Sequence, residues 1–298
     1  MYQNSFENTI MSYLSFVMDK LAEEIRNTFK LNNISTSSLE PDKLYLQWSN
    51  IRRKHPLPHA RKVIFSKEIK KKISDNSELN ELVAYFKEKF EIGEDITGHL
   101  SKTIYQAEYW DILLNHWNIY HLHLNKRKAD TLSQMSNNRA EYLLFMIILD
   151  NVVFFLDVRK HPKGSGFTAL SFLEIAQNNG WMQYCGFQKT DICNVTPKVS
   201  SDDQIYQLYK NKMNFYIELN GITYHAIGTS GYGNRFTDSM QLSAFKNNII
   251  DVIQNDLSEQ RMPVSVRIDL NNNFIVIQSD RTNSHKFTKI ELTSYRFI

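Results

Sequence analysis

The sequence predicts an α+β fold: a mostly helical N-terminal region, then a small antiparallel sheet with helices, then a further hairpin-containing α+β region. Three observations carry this. Apolar residues recur at three and four through much of the first 115 residues, the spacing of one helix face. Two apolar runs, Leu143–Leu149 and Val152–Val158, flank a polar Asp150-Asn151 break, which reads as a β-hairpin. Asn220-Gly221 and Asn271-Asn272-Asn273 then sit between strand-like runs further on. The resulting division is a helical domain over 1–115, a central α+β domain over 116–200, and a C-terminal part over 201–298. That last part is either a second α+β unit or an extension of the central sheet.

In chain order, Phe6–Leu31 is the first helix, with Ile10, Leu14, Val17, Met18, Leu21, Ile25 and Phe29 on one stripe that Tyr13 and Phe16 widen. Leu44–Trp48 is short and fits either helix or strand. From Arg52 to Lys72 there are nine Lys or Arg and a single acid, Glu68. Pro56 and Pro58 exclude a regular helix around them, so this reads as an extended basic loop carrying His55 and His59. Ser74–Phe90 is a helix capped by Ser74, Asp75 or Asn76 and stopped by Gly93. Thr103–Trp117 has the spacing of another, with Ile104, Ala107, Trp110, Leu114 and Trp117 on one side.

Beyond the central hairpin, Thr168–Asn178 is helical and Asn179-Gly180 ends it. Trp181–Val199 is irregular and Gln204–Lys210 a short helix. The run from Gly228 to Arg235, GTSGYGNR, is a Gly-rich connection before a helix near Asp238–Gln254. Its amides have the character of a phosphate cradle, but the Lys-Ser/Thr ending of a Walker loop is absent. Pro263–Asp280 forms a third hairpin, and Phe287–Leu292 adds an edge strand.

Composition bounds the function. The 298 residues are 42% hydrophobic, enough for a substantial core. No apolar run is long enough to cross a membrane, and the first residues lack the shape of a signal peptide. Two cysteines, Cys185 and Cys193, make neither a disulfide framework nor a zinc motif. A cytoplasmic location without membrane contact is the expectation. A net charge of +3 is too small to argue for nucleic acid on its own, so local charge matters more.

The chemistry concentrates in YHLHLNKRKADTLSQMSNNRAEYLLFMIILDNVVFFLDVRKH, from Tyr120 to His161. On a strand, His121 and His123 share one face. On the second hairpin strand Val153, Phe155, Asp157, Arg159 and His161 share one face by the same alternation. If the two strands lie side by side with matching faces, His121, His123, Asp157, Arg159 and His161 converge. Histidine suits both the base and the acid of RNA cleavage, because its reference pKa is near 6.5. Arginine suits the crowded phosphate, and Asp157 suits the holding of a histidine tautomer. Lys160, Arg139, Lys126, Arg127 and Lys128, with Arg52, Arg53 and Lys54 of the basic loop, are the expected phosphate or nucleic-acid contacts. This chemistry requires no cofactor and no metal.

The runs HLHL, RAEYLLF and VVFFLDVRKH, with a Gly-rich turn and the helix FTALSFLEIAQNNGW, resemble a bacterial toxin or phage-defence ribonuclease module of the broad barnase/RelE-like class. The resemblance covers about Trp117 to Trp181 and has no diagnostic short motif. It implies RNA cleavage, translation shutdown, and roles for His121, His123, Arg139, Arg159 and His161. RNA is the expected partner, with a protein antitoxin or a second copy of the chain beside it.

Two other readings follow from the same residues. One is a non-catalytic nucleic-acid or protein binding module of a defence or toxin-antitoxin system, using the basic loop and the helical N-terminal region. The other is a metal-dependent nuclease or hydrolase, since His121, His123, Asp157 and His161 are acceptable zinc or manganese ligands. Arg159 and Lys160 between those ligands add positive charge that opposes a cation.

Overall fold

A computed structural model describes residues 2–137, 140–162, 164–192, 196, 198–226, 235–282 and 284–292. Arg139 and the stretch 228–234 of the Gly-rich run lie outside the described residues. In chain order the elements are α1 (Tyr2–Leu31), α2 (Pro41–Lys54), β1 (Lys62–Phe65), α3 (Lys67–Ser74), α4 (Ser77–Ile92), α5 (Ile112–Trp117), β2 (Tyr120–His123), α6 (Leu132–Asn137), β3 (Tyr142–Ile148) and β4 (Val152–Lys160). There follow α7 (Leu170–Asn178), β5 (Phe187–Thr190), α8 (Asp202–Lys210), β6 (Tyr216–Leu219), β7 (Ile222–Ala226), α9 (Phe236–Ser258), β8 (Met262–Asp269), β9 (Phe274–Arg281) and β10 (Ser284–Glu291). The α+β class is as the sequence predicts.

The chain forms two compact units whose boundaries fall at neither 115/116 nor 200/201. The first takes Met1–Ile51, Tyr105–Glu108 and the chain from Thr237. In it α1 buries Ile10, Leu14, Val17, Leu21, Ile25 and Phe29, and α9 buries Leu242, Phe245, Ile249 and Ile253. Its antiparallel sheet has the order β10-β9-β8. Tyr45 of α2 stacks on Phe245 with ring centroids 5.7 Å apart. This sheet does not extend the central one.

The second unit takes Arg52–Ile104 and Tyr109–Phe236. Its central sheet runs β1-β4-β3-β2, and a smaller sheet runs β5-β7-β6. The β6-β7 hairpin turns at Asn220 and Gly221, both at positive φ, as Asn-Gly turns require. One face of the central sheet carries Leu143, Phe145 and Ile147 in a core shared with Phe172 of α7 and Trp117 of α5. On the opposite face Phe155 meets Phe90 of α4 at 5.7 Å.

Four local expectations change. Thr103–Trp117 is not one helix. The backbone of Tyr105 and Ala107 bonds to Ser35 instead, which takes up groups a helix would need, and Asp111 then caps a fresh start by accepting from Leu114 N at 3.0 Å. Arg52, Arg53 and Lys54 form the last turn of α2 rather than an extended loop, and the chain leaves the helix just before Pro56. The basic stretch also hides β1, whose Val63-Ile64-Phe65 pairs parallel to β4. Strand β5 lies within Trp181–Val199, expected to be irregular.

Gly93 ends α4 in the left-handed region at φ 77°, and a Cβ there would sit 2.5 Å from Ala60 N. Gly93→Ala is expected to cost about 1–2 kcal/mol from the backbone angle alone, with the contact adding to it. Thermal unfolding of the variant measures this, and an unchanged midpoint contradicts it.

Two buried histidines of this unit make its stability acid-sensitive. His99 has no hydrogen-bond partner at either ring nitrogen, and burial, helped by Lys89 and Lys128, pushes it down to about 4. His116 stacks on Tyr209 at 3.7 Å, and burial, helped by Arg235, pushes it down to about 3. Both are neutral when folded at neutral pH, whereas the unfolded chain protonates each near about 6.5. Their contribution is therefore complete above that pH. It is lost as pH falls from about 6.5 toward the two folded values, by about 1 kcal/mol per pH unit for each. The urea midpoint should drop between about pH 7.5 and 5, and His99→Phe should flatten the drop. Equal midpoints across that range in the wild type would contradict this account.

Candidate functional site

Strand β2 is not beside β4: β3 lies between them. The register nevertheless keeps the faces matched. His121 lies opposite Phe145, which lies opposite Asp157, and His123 lies opposite Leu143, which lies opposite Arg159. Directly opposed residues share a face, so both histidines face the same way as Asp157 and Arg159. His161 continues that row, its amide bonding to the Glu141 carbonyl at 3.0 Å. A bulge corrects the simple alternation along β4. Phe145 opposes Asp157 while Met146 opposes Phe155, so Leu156 is the extra residue, and Val153 and Phe155 turn to the other face.

Two of the three imidazoles pack against Phe167, which lies in the turn Gly164–Thr168 before α7, and the third lies against one of them. His121 and His161 lie 5.4 and 5.7 Å from its ring, and His123 lies 6.0 Å from His161. The three differ in environment. His161 is exposed, and its Nδ1 is 3.0 Å from the Pro162 carbonyl, which a donated proton satisfies. His123 is 9% exposed, and its Nδ1 accepts from Ala140 N at 3.3 Å, placing the ring proton of the neutral form on Nε2. His121 is half-buried. Burial lowers its pKa, His161 lowers it further, and Asp111 opposes both. Asp111 Oδ2 stands 3.8 Å from His121 Nδ1, beyond a direct hydrogen bond but close enough to act through charge.

Beside His121 opens a small pocket lined by Lys54, Ser101, Thr103, Asp111 and Tyr120 among others. Lys54 forms one wall and donates to the Tyr109 carbonyl and, at 3.4 Å, to that of Thr103. Burial pushes its ammonium down to about 8, with Arg53 adding to the effect and Asp111 opposing it. Tyr120 donates to the Arg53 carbonyl at 2.7 Å, tying the end of α2 to β2. Perturbed titratable groups beside a concavity are the pattern of a working site.

Asp157 is not a solvent-reaching catalytic carboxylate. It is 1% exposed and lies between Lys72 Nζ at 2.6 Å and Arg159 Nε at 2.7 Å. It holds no histidine. Arg159 in turn lies over the Phe172 ring at 3.8 Å, so its position is fixed from two sides.

The expected phosphate contacts scatter. Arg53 and Lys54 are buried, Arg53 donating to Asn115. Lys126 pairs with Glu81, Lys128 with Asp95 at 3.4 Å, and Lys160 with Glu141 at 2.9 Å. Arg52 and Arg127 are exposed. Among the described residues no group of three His, Cys, Asp or Glu side chains gathers as a metal would require, so the histidines meet through ring packing and not around a ligation point.

Several participants escape a one-strand reading. Asp111, Lys72, Phe167 and Phe172 come from other elements. Asp111 carries a usable signal, the Asp that precedes Ile112-Leu113-Leu114 as a helix cap. No family model matches the chain, and neither curated proteins nor solved structures give a match. Among the described residues no helix is long and apolar enough to cross a membrane.

Proposed function

We propose that the chain is a metal-independent endoribonuclease with His121 as general base and His161 as general acid. The observation that supports this most is the packing of His121 and His161 against the same Phe167 ring, one half-buried beside Asp111 and the other exposed. A histidine whose pKa burial lowers is unprotonated at neutral pH, the form a base requires. In the reaction His121 takes the 2′-hydroxyl proton as the 2′-oxygen bonds to phosphorus. The bond from phosphorus to the 5′-oxygen breaks, and His161 gives that oxygen its proton. Arg159 meets Asp157 through Nε, which leaves its two terminal nitrogens to meet the phosphate. His123 supports the ring of His161 from 6.0 Å.

The products expected are a 2′,3′-cyclic phosphate and a 5′-hydroxyl, formed at full rate in chelator. Mass spectrometry of the cleavage ends of a defined RNA reads this. Plain 3′-hydroxyl ends, or cleavage that chelator abolishes, would overturn the mechanism.

A role as a toxin or phage-defence factor acting in the cytoplasm, neutralised by a protein antitoxin or working as a homo-oligomer, draws its support from the sequence resemblance. A non-catalytic nucleic-acid binding module is the second reading. It is favoured by Lys67, Lys70 and Lys71 of α3, which are exposed and form no ion pair among the described residues, and RNA binding without any cleavage would select it.

A further inference from the structure

We infer that the outer face of α3, formed by Lys67, Lys70 and Lys71, binds the sugar-phosphate backbone of the RNA whose cleavage is proposed above; the inference rests on that reading for the choice of RNA. α3 has the sequence KEIKKKIS, four lysines to one acid. Ser66 starts it by accepting from Ile69 N at 2.9 Å, and Ile69 is fully buried. That rotation leaves Lys67, Lys70 and Lys71 exposed.

Lys71 lies in the last turn of α3, where the peptide dipoles favour a cation, so the unfavourable placement is that of Lys67. Lys67 lies in its first turn, where the peptide dipoles disfavour a cation. Lys67 is also three residues from Lys70 and four from Lys71, spacings at which like charges repel. Glu68, three residues from Lys71 and four from Lys72, offsets part of this repulsion, and its carboxylate also accepts from Asn179 Nδ2 at 2.8 Å at the end of α7. Among the described residues none of the three lysines forms an ion pair; Lys62, Lys102, Lys189 and Lys210 of the same unit share that state singly, and α3 is where three such lysines cluster. A helix that concentrates partly compensated cations suits a polyanion that supplies the missing charge.

The fourth lysine joins this face to the site. Lys72 bonds to Asp157 at 2.6 Å, and Asp157 bonds to Arg159 on β4, the strand that His161 directly follows. Asp157 and His161 are four residues apart on an extended strand, about 13 Å at the usual rise. A single strand can therefore run from the lysines over Arg159 to the imidazoles. Backbone contacts of this kind position a chain without reading its sequence.

The test uses the full chain and a fluorescent 2′-O-methyl oligouridine, which lacks the attacking hydroxyl and so reports binding alone. Binding is measured over a range of salt for the wild type and for K67Q/K70Q/K71Q. Each lost phosphate contact removes about 0.7 from the slope of log affinity against log salt for a single strand, so the triple variant should lose about 2. If the triple variant unfolds, the three single variants should each lose about 0.7. Unchanged slopes overturn the inference. Equal affinity for an oligoglutamate of the same charge overturns the choice of RNA. Lysine-dependent binding by a wild type that cleaves no unmodified RNA supports this surface and rejects the ribonuclease reading. Full cleavage with unchanged slopes in the triple variant does the reverse.

Discussion

Alanine at His121 or at His161 is expected to lower the rate of RNA cleavage by about 10²–10⁴-fold, the range a positioned acid or base contributes. Neither ring anchors a hydrogen-bond network in the core. His121 lies 3.8 Å from Asp111, and His161 is exposed, its ring bonding among the described residues to its neighbour's carbonyl. The unfolding midpoints should therefore stay close to the wild-type value. The pH profile tells chemistry from packing. His121 must be unprotonated to act, and burial lowers its pKa, so the acidic limb of kcat/KM should lie below the ordinary histidine value. Asp111 opposes that lowering, so Asp111→Asn should move the limb further down. A limb that ignores Asp111→Asn would remove His121 from the role of base. Full activity in His121→Ala would remove the mechanism altogether.

Asp157→Ala is expected to destabilise the fold by about 3 kcal/mol, because it strands two cations arranged around a buried carboxylate. Lys72 and Arg159 are 45% and 22% exposed at the side chain, and water partly compensates them, which places the cost at the low end of the range for such pairs. The carboxylate also accepts from Val158 N at 2.9 Å, and that contact is lost as well. Urea unfolding measures the cost. The same variant should reduce cleavage only through the freedom it gives Arg159, so KM should rise more than kcat falls. A stable Asp157→Ala protein with a kcat reduced a hundredfold would return Asp157 to a direct catalytic role.

Much of the local structure was legible in the sequence because the signals were short-range. The α1 stripe from Ile10 to Phe29 requires only a 3.6-residue period, and its seven residues including Met18 are buried, while Phe16, read as widening it, is exposed. Gly93 stops α4 and Asn220-Gly221 turns β6 into β7 because those backbone angles exclude most other residues. The site was partly legible for the same reason. Period two correctly places His121 with His123, and Asp157 with Arg159 and His161, on shared faces. The alternation fails upstream of Asp157, because a bulge adds one residue and inverts the face of everything before it.

The sequence by itself determined the α+β class, the hairpin turns, the helix stops and the shared face of His121 with His123 and of Asp157 with Arg159 and His161, since each depends on residues within a few positions of one another. Only the tertiary structure decided that β3 separates β2 from β4, that β1 completes the sheet in parallel, and that Phe167 brings His121 and His161 together. It also decided charge. Lys54 and Arg53 look like surface cations in the sequence and are buried, while Asp157 reads there as the holder of a histidine tautomer and is enclosed by Lys72 and Arg159. The physical reason is that solvation and long-range pairing set what a titratable group can do, and both come from atoms distant in the chain.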